Sequence, residues 1–262
     1  MSTFDHIELA MGTGFRFHGI STIDSVETNA ALERACAIMH EADEIFSLYK
    51  PESPLSLLAA GKTSVDKLPP VVSEVWDECE RLEKLTGGWF SAFTPQHTFD
   101  PSGLVKSWAA KRAADSLVAS GIDDFTLNAG GDIYIADGTT DSEQWRVGIS
   151  KPVSIASTQS GALAVINLLG TEFRGVATSG SAERGSHIWN PKNYESDPAK
   201  SLHQITVIAK DIVTADVWAT AAFAEGIGSM RRLHALDGVE ALAVLTDGQL
   251  AATPGFQSLL AK

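Results

Sequence analysis

Phe125-Thr126-Leu127-Asn128-Ala129-Gly130-Gly131-Asp132-Ile133-Tyr134-Ile135-Ala136 reads as two strand-like runs, Phe125 to Asn128 and Ile133 to Ala136, flanking a glycine pair. Two glycines between apolar runs permit a tight turn or a close backbone approach to a ligand. Further short, β-branched or apolar runs lie at Trp145 to Ile149, Leu163 to Leu168, Phe173 to Ala177, Gln204 to Ile208 and Ala241 to Leu245. Helices and strands mix without strict βαβ alternation. The pattern predicts an α+β fold, a single layered domain of largely antiparallel sheet with packed helices.

Four segments carry helical spacing. From Thr28 to Tyr49, the apolar residues Leu32, Ala35, Ile38, Met39, Ala42 and Ile45 recur at helical intervals. After Pro69-Pro70, Val72, Val75, Trp76, Cys79 and Leu82 form a stripe stopped by Gly87-Gly88. Val105, Trp108, Ala109, Leu117 and Val118 follow a start near Ser102, and Ala215, Trp218, Ala219, Ala222 and Phe223 follow Asp211. No internal repeat or low-complexity tract interrupts residues 1–262, which reads as one continuous domain.

Composition narrows the function classes. Hydrophobic residues make up 44% and charged residues 20% of 262, enough for a substantial core. Twenty basic against 33 acidic residues give a net charge of −13, which disfavours nucleic acid and anionic lipid as partners. A small anionic ligand needs local help from a metal, a lysine or inward-aimed backbone N–H groups. Apolar runs such as Val217 to Ala224 are too short to span a bilayer, and no export signal is visible, so the expectation is a cytoplasmic protein without membrane insertion. Cys36 and Cys79 each fall on an apolar helix face and belong to no CxxC, which predicts reduced core thiols without zinc partners.

Four segments bear chemistry. In Asp211-Ile212-Val213-Thr214-Ala215-Asp216-Val217-Trp218-Ala219-Thr220, Asp216 and Thr220 stand at i and i+4 on one helical face. A carboxylate and a hydroxyl on so apolar a helix suit a hard cation such as Mg²⁺, or else a capping network at the helix start. Asn128, Gly130, Gly131 and Asp132 form the second segment, a ligand-approach turn or a plain hairpin. In the third, Thr178-Ser179-Gly180 reads as a polar loop after a strand, leading to His187, a general base or simply a turn histidine. The fourth is Asp100-Pro101-Ser102-Gly103-Leu104-Val105-Lys106, where helix-start N–H groups and Lys106 offer a phosphate cradle or a merely capped helix. No GxGxxG or Walker pattern is present.

The order of these blocks carries more than any one of them. Met11-Gly12-Thr13, then Phe46-Ser47-Leu48-Tyr49-Lys50-Pro51, then the blocks at Asp100, Asn128, Thr178 and Asp216 follow one another along the chain. Together they resemble the FAD:protein FMN transferase (ApbE) family over roughly Met11 to Gly226. The resemblance implies an ApbE-like (T-fold-like) domain that splits FAD and transfers FMN to a Thr or Ser hydroxyl of an acceptor flavoprotein. A phosphodiester forms, AMP leaves, and Mg²⁺ is required. It also implies that Asp216, Thr220 and the Val105 carbonyl hold the metal. Met11, Gly12, Thr13, Tyr49, Ser102, Lys106, Asn128, Gly130, Gly131, Asp132, Thr178, Ser179 and Gly180 would surround FAD, and His187 would serve the incoming hydroxyl. This sequence departs from the family pattern at Ser107, where glycine is usual, at Lys111, where an acid is usual, and at Asn190-Pro191-Lys192-Asn193-Tyr194, in place of Asp-Pro-Arg-Thr-Gly.

Other readings use the same residues. FAD hydrolysis to FMN and AMP needs only water as the acceptor. A non-catalytic FAD-binding protein needs the cradle and no turnover. An unrelated α+β domain would use Asp216 and Thr220 to cap a helix.

Overall fold

The computed structural model describes residues 1–139, 145–152, 161–180, 188–194 and 201–261. It is mixed α and β, with antiparallel sheet and packed helices, as the sequence pattern predicts. The chain divides into two compact units, residues 1–130 with 136–138, and residues 131–135 with 139–262.

The first unit begins with a hairpin of β1 (Ser2–Ala10) and β2 (Thr13–Ser21), and β3 (Asp124–Ala129) pairs antiparallel with β2. The β2–β3 register sets Phe15 opposite Ala129, Phe17 opposite Leu127 and Gly19 opposite Phe125. Because strand side chains alternate, this register puts one set on one face. Phe15, Phe17, Phe125 and Leu127 are all fully buried there.

Four helices complete this unit: α1 (Ser25–Phe46), α2 (Pro54–Ala59), α3 (Pro70–Leu85) and α4 (Ser102–Ala119). Asp24 starts α1 by accepting from the backbone N–H groups of Val26 and Glu27 at 2.8 and 2.9 Å. Ala109, Ala110, Ala113 and Ala114 give α4 a buried face of small side chains, and α4 packs on α1, where Ala31, Leu32, Ala35 and Met39 are buried. Alanine both favours the helix and lets a neighbour approach closely.

The β1–β2 hairpin lies outside the strands the sequence pattern predicts, and α2 lies outside its helices. In β1 the usual alternation is blurred, since the inner face carries Phe4 and Ala10 together with His6 and Glu8. Ile7 and Leu9 are exposed, whereas His6 and Glu8 are only half-buried on the other face.

In the second unit an antiparallel sheet runs in the order β4 (Asp132–Ile135), β7 (Gly175–Gly180), β8 (Leu202–Ala209), β9 (Val239–Leu245) and β10 (Leu250–Ala252). A separate ladder joins β5 (Arg146–Ser150) to β6 (Ala162–Asn167). Trp145, Val147, Ile149 and Ile166 share a core with Val176, Ile208 and Leu242 of the sheet. Helix α5 (Ile212–Glu225) packs against β7 and β8, and the short α6 (Ser229–His234) packs against β9.

Residues 175, 177 and 179 of β7 are Gly, Ala and Ser, and strand alternation turns them to one face. At Gly175 a β-carbon would collide with the carbonyl of Asp211 at the start of α5. The close seat of the helix therefore depends on the missing side chain. Gly175→Ala is expected to cost about 1–3 kcal/mol through overpacking, read as a lower urea midpoint at unchanged slope.

Candidate functional site

In the second unit, Asp211 caps α5. Its Oδ1 accepts from the Thr214 N–H at 2.9 Å and its Oδ2 from the Thr214 hydroxyl at 2.7 Å. The capping role open to Asp216 in the sequence is thus filled by Asp211, five residues earlier. Asp216 lies more than a turn inside the helix and is 7% exposed. Thr220 follows at i+4 on the same face, and its hydroxyl lies 3.5 Å from the hydroxyl of Ser179 on β7.

Thr178-Ser179-Gly180, which the sequence pattern casts as a loop, forms the end of β7 itself. These residues pair with Thr206, Ile205 and Gln204 of β8. Pairing with β8 supplies the backbone partners that a polar run lacks when read alone. Thr178, pointing away from Ser179, meets the Thr206 hydroxyl at 2.8 Å, and its N–H donates to Asp132 Oδ1 at 3.1 Å. Asp132 is buried beside this strand. The structure therefore brings Asp132, Thr178, Ser179 and Thr220 together, with Asp216 one turn from Thr220. Thr206 and Asp211 belong to this arrangement although sequence reasoning passed over them. The Asp211-x-x-Thr214 spacing is the signal that marks Asp211 as a cap.

On the α5 side of β7, Asp216, Thr220 and Ser179 offer carboxylate and hydroxyl oxygens, the donor type that suits a hard divalent cation such as Mg²⁺. Asp216 supplies a carboxylate and Thr220 a hydroxyl to that set.

In the first unit, Met11 and Gly12 make the two-residue turn between β1 and β2, with φ of 50° and 70°. Two positive φ values match the twist of the flanking strands, yet methionine enters that region only against steric resistance. Thr13 follows, beside Gly130, whose φ is 62° and whose missing β-carbon leaves room for the Thr13 hydroxyl. The Gly130 N–H donates to the carbonyl of Gly14 at 3.0 Å. Met11, Gly12, Thr13 and Gly130 thus share one end of the β2–β3 ladder, with Asn128 two residues back, opposite Arg16.

At the start of α4 the Ser102 N–H donates to Asp100 Oδ1 at 3.0 Å, while Leu104 and Val105 donate to the Pro101 carbonyl at 2.8 and 2.9 Å. Val105 is buried, and Lys106 is half-buried. Tyr49, past the end of α1, is 97% exposed. Gly131 lies in the second unit beside Asp132. His187 lies outside the described residues.

The departures from the family pattern have local explanations. Ser107 is fully buried, and its hydroxyl donates to the Leu104 carbonyl at 3.1 Å. Lys111 pairs with Asp115 one turn on at 2.5 Å. Asn190 Oδ1 accepts from the N–H groups of Lys192 and Asn193 at 2.9 and 3.0 Å, a turn that an aspartate oxygen makes equally well. Burial pushes the Cys36 and Cys79 thiols up to about 12, so both carry their protons at neutral pH. No helix among the described residues is long and apolar enough to cross a membrane.

This arrangement of sheet and helices recurs in flavin transferases of known structure. The Vibrio cholerae flavin transferase ApbE superposes with a TM-score of 0.76 at 22% identity, covering 99% of each chain. The ApbE protein of Thermotoga maritima does so at 0.76 and 19% identity, covering all of both. The ApbE family model matches residues 91–243, and the chain belongs to the ApbE family. A Rhodobacter capsulatus FAD:protein FMN transferase is 30% identical over 185 residues, 67% of this chain and 34% of that protein. A Klebsiella pneumoniae namesake is 27% identical over 142 residues, 51% of this chain and 40% of that protein. In these two alignments the chain spans well under half of its curated relatives' length.

Asp132→Ala is expected to leave the Thr178 N–H without its acceptor and to cost about 1–3 kcal/mol. Thermal or urea unfolding of the variant beside the parent chain checks this.

Proposed function

We propose that this chain is a Mg²⁺-dependent FAD:protein FMN transferase. The observation that carries the reading is a carboxylate, Asp216, kept inside a buried helix, with Thr220 on the same helical face and its hydroxyl 3.5 Å from that of Ser179. Membership of a family whose curated relatives bear that name supports it.

In this reading Asp216 and Thr220 hold the ion. The Val105 carbonyl, assigned to the same ion by the family pattern, belongs to the other unit and enters on that pattern alone. When bound, the ion neutralises charge on the FAD diphosphate. Lys106 adds a second positive charge for the same diphosphate. Met11-Gly12-Thr13 and Gly130 offer backbone at a tight turn, and Tyr49 offers an exposed ring for stacking. Asp132, bonded to the Thr178 N–H, orients the end of β7.

The acceptor's Thr or Ser hydroxyl oxygen attacks the phosphorus of the FMN half. The bond from that phosphorus to the bridging oxygen breaks, and AMP departs with the oxygen. The hydroxyl proton passes to His187, in the role the family pattern gives it. The remaining contribution is positioning of the hydroxyl in line with the leaving group.

The test is incubation of the chain with FAD, MgCl₂ and an acceptor flavoprotein, followed by mass spectrometry of the acceptor. Gain of one FMN supports the proposal. Free FMN with unlabelled acceptor points to hydrolysis, and FAD intact after long incubation points to a binding protein. Asp216→Ala is expected to lower Mg²⁺-dependent turnover by roughly 10²-fold or more with its unfolding still cooperative; parental activity would remove Asp216 from the site. His187→Ala is expected to slow transfer by roughly 10²–10⁴-fold while FAD affinity, measured by fluorescence titration, changes far less.

A further inference from the structure

The first unit holds a second cluster of donors that the flavin reading does not use. Strand alternation puts His6 and Glu8 on one face of β1, and helical spacing puts Cys36 and His40 on one face of α1. The two faces meet. His6 Nε2 is 3.2 Å from Glu8 Oε2 and 3.4 Å from Cys36 Sγ, and the three donor atoms all lie within 4.8 Å of one another. The other oxygen of Glu8, Oε1, lies 2.9 Å from His40 Nε2. The sequence alone predicts no zinc partners for Cys36. His6 and Glu8 are thirty and twenty-eight residues away in the chain, and only the packing of β1 on α1 brings them beside it.

We propose that His6 Nε2, Glu8 Oε2 and Cys36 Sγ form a binding site for a zinc ion, with His40 as a positioning residue behind Glu8. Zinc–nitrogen and zinc–sulfur bonds of about 2.0–2.1 and 2.3 Å in a tetrahedron place neighbouring donors about 3.3–3.6 Å apart. The separations of 3.2 and 3.4 Å fall beside that range before any ion is bound. A thiolate with an imidazole selects against Mg²⁺ and Ca²⁺, which take oxygen donors. Three protein donors leave a fourth position for water.

Cys36 is buried, whereas His6 and His40 side chains are 38% and 51% exposed, so an ion has an approach from solvent. His40 fixes the carboxylate through the oxygen that the metal does not need, as an outer partner does at established sites. As the sulfur–zinc bond forms, the thiol proton passes to solvent. Bound zinc would pin the β1–β2 hairpin, with the Met11-Gly12 turn at its tip, onto α1.

Titration of the chelator-treated full chain with Co²⁺ tests this independently of any flavin activity. One equivalent should give thiolate-to-cobalt charge-transfer absorption in the near ultraviolet, and Zn²⁺ should abolish it by displacement. Cys36→Ser should lose the band. Glu8→Gln, at a half-exposed side chain, guards against a folding defect in that variant and should weaken affinity by about tenfold or more. His40→Ala should keep the band but weaken binding by roughly 10–100-fold. Absence of the band in the parent chain overturns the proposal, and so does a band that persists in Cys36→Ser. Affinity unchanged in both Glu8→Gln and His40→Ala would also overturn it.

Discussion

Burial of α5 against β7 and β8 is the constraint on which the second unit depends. Ten of its fourteen residues are buried, so its position is set by packing on nearly every side. A helix held this way has no freedom to rotate a polar group out to water. Asp216 must therefore be accommodated where it stands, with Thr220 one turn on along the same face and its hydroxyl meeting that of Ser179. The cap at Asp211 and the bare backbone at Gly175 serve the same seating. The positions of these oxygen donors follow from this packing.

The sequence revealed the elements with simple periodicity. Helices α1, α3, α4 and α5 all appear within a few residues of their patterned stripes, and β3 through β9 lie on the apolar runs. Strand β1 escaped because its half-buried face carries His6 and Glu8 while Ile7 and Leu9 face water. A periodicity argument takes apolar side chains to be inward, and β1 follows that rule only at Phe4 and Ala10.

The candidate site was legible in parts for a related reason. Asp216 and Thr220 stand out because a polar pair at i and i+4 on an apolar helix has few explanations. Ser179 and Thr178 were visible only as small polar residues, since their identity as a strand end depends on pairing with Gln204 to Thr206. Asp132 and Thr178 are 46 residues apart, and no local pattern announces their hydrogen bond. The Cys36 neighbours were hidden in the same way, because separation along the chain carries no record of tertiary proximity.

The bare backbone at Gly175 has a bearing on how little slack the second unit has. The spacing between β7 and α5 is fixed by main-chain atoms and an absent side chain, not by a bulky residue whose exchange would shift it. Any side chain at this position would have to push strand and helix apart, so the gap between them is held at the contact distance of two main chains.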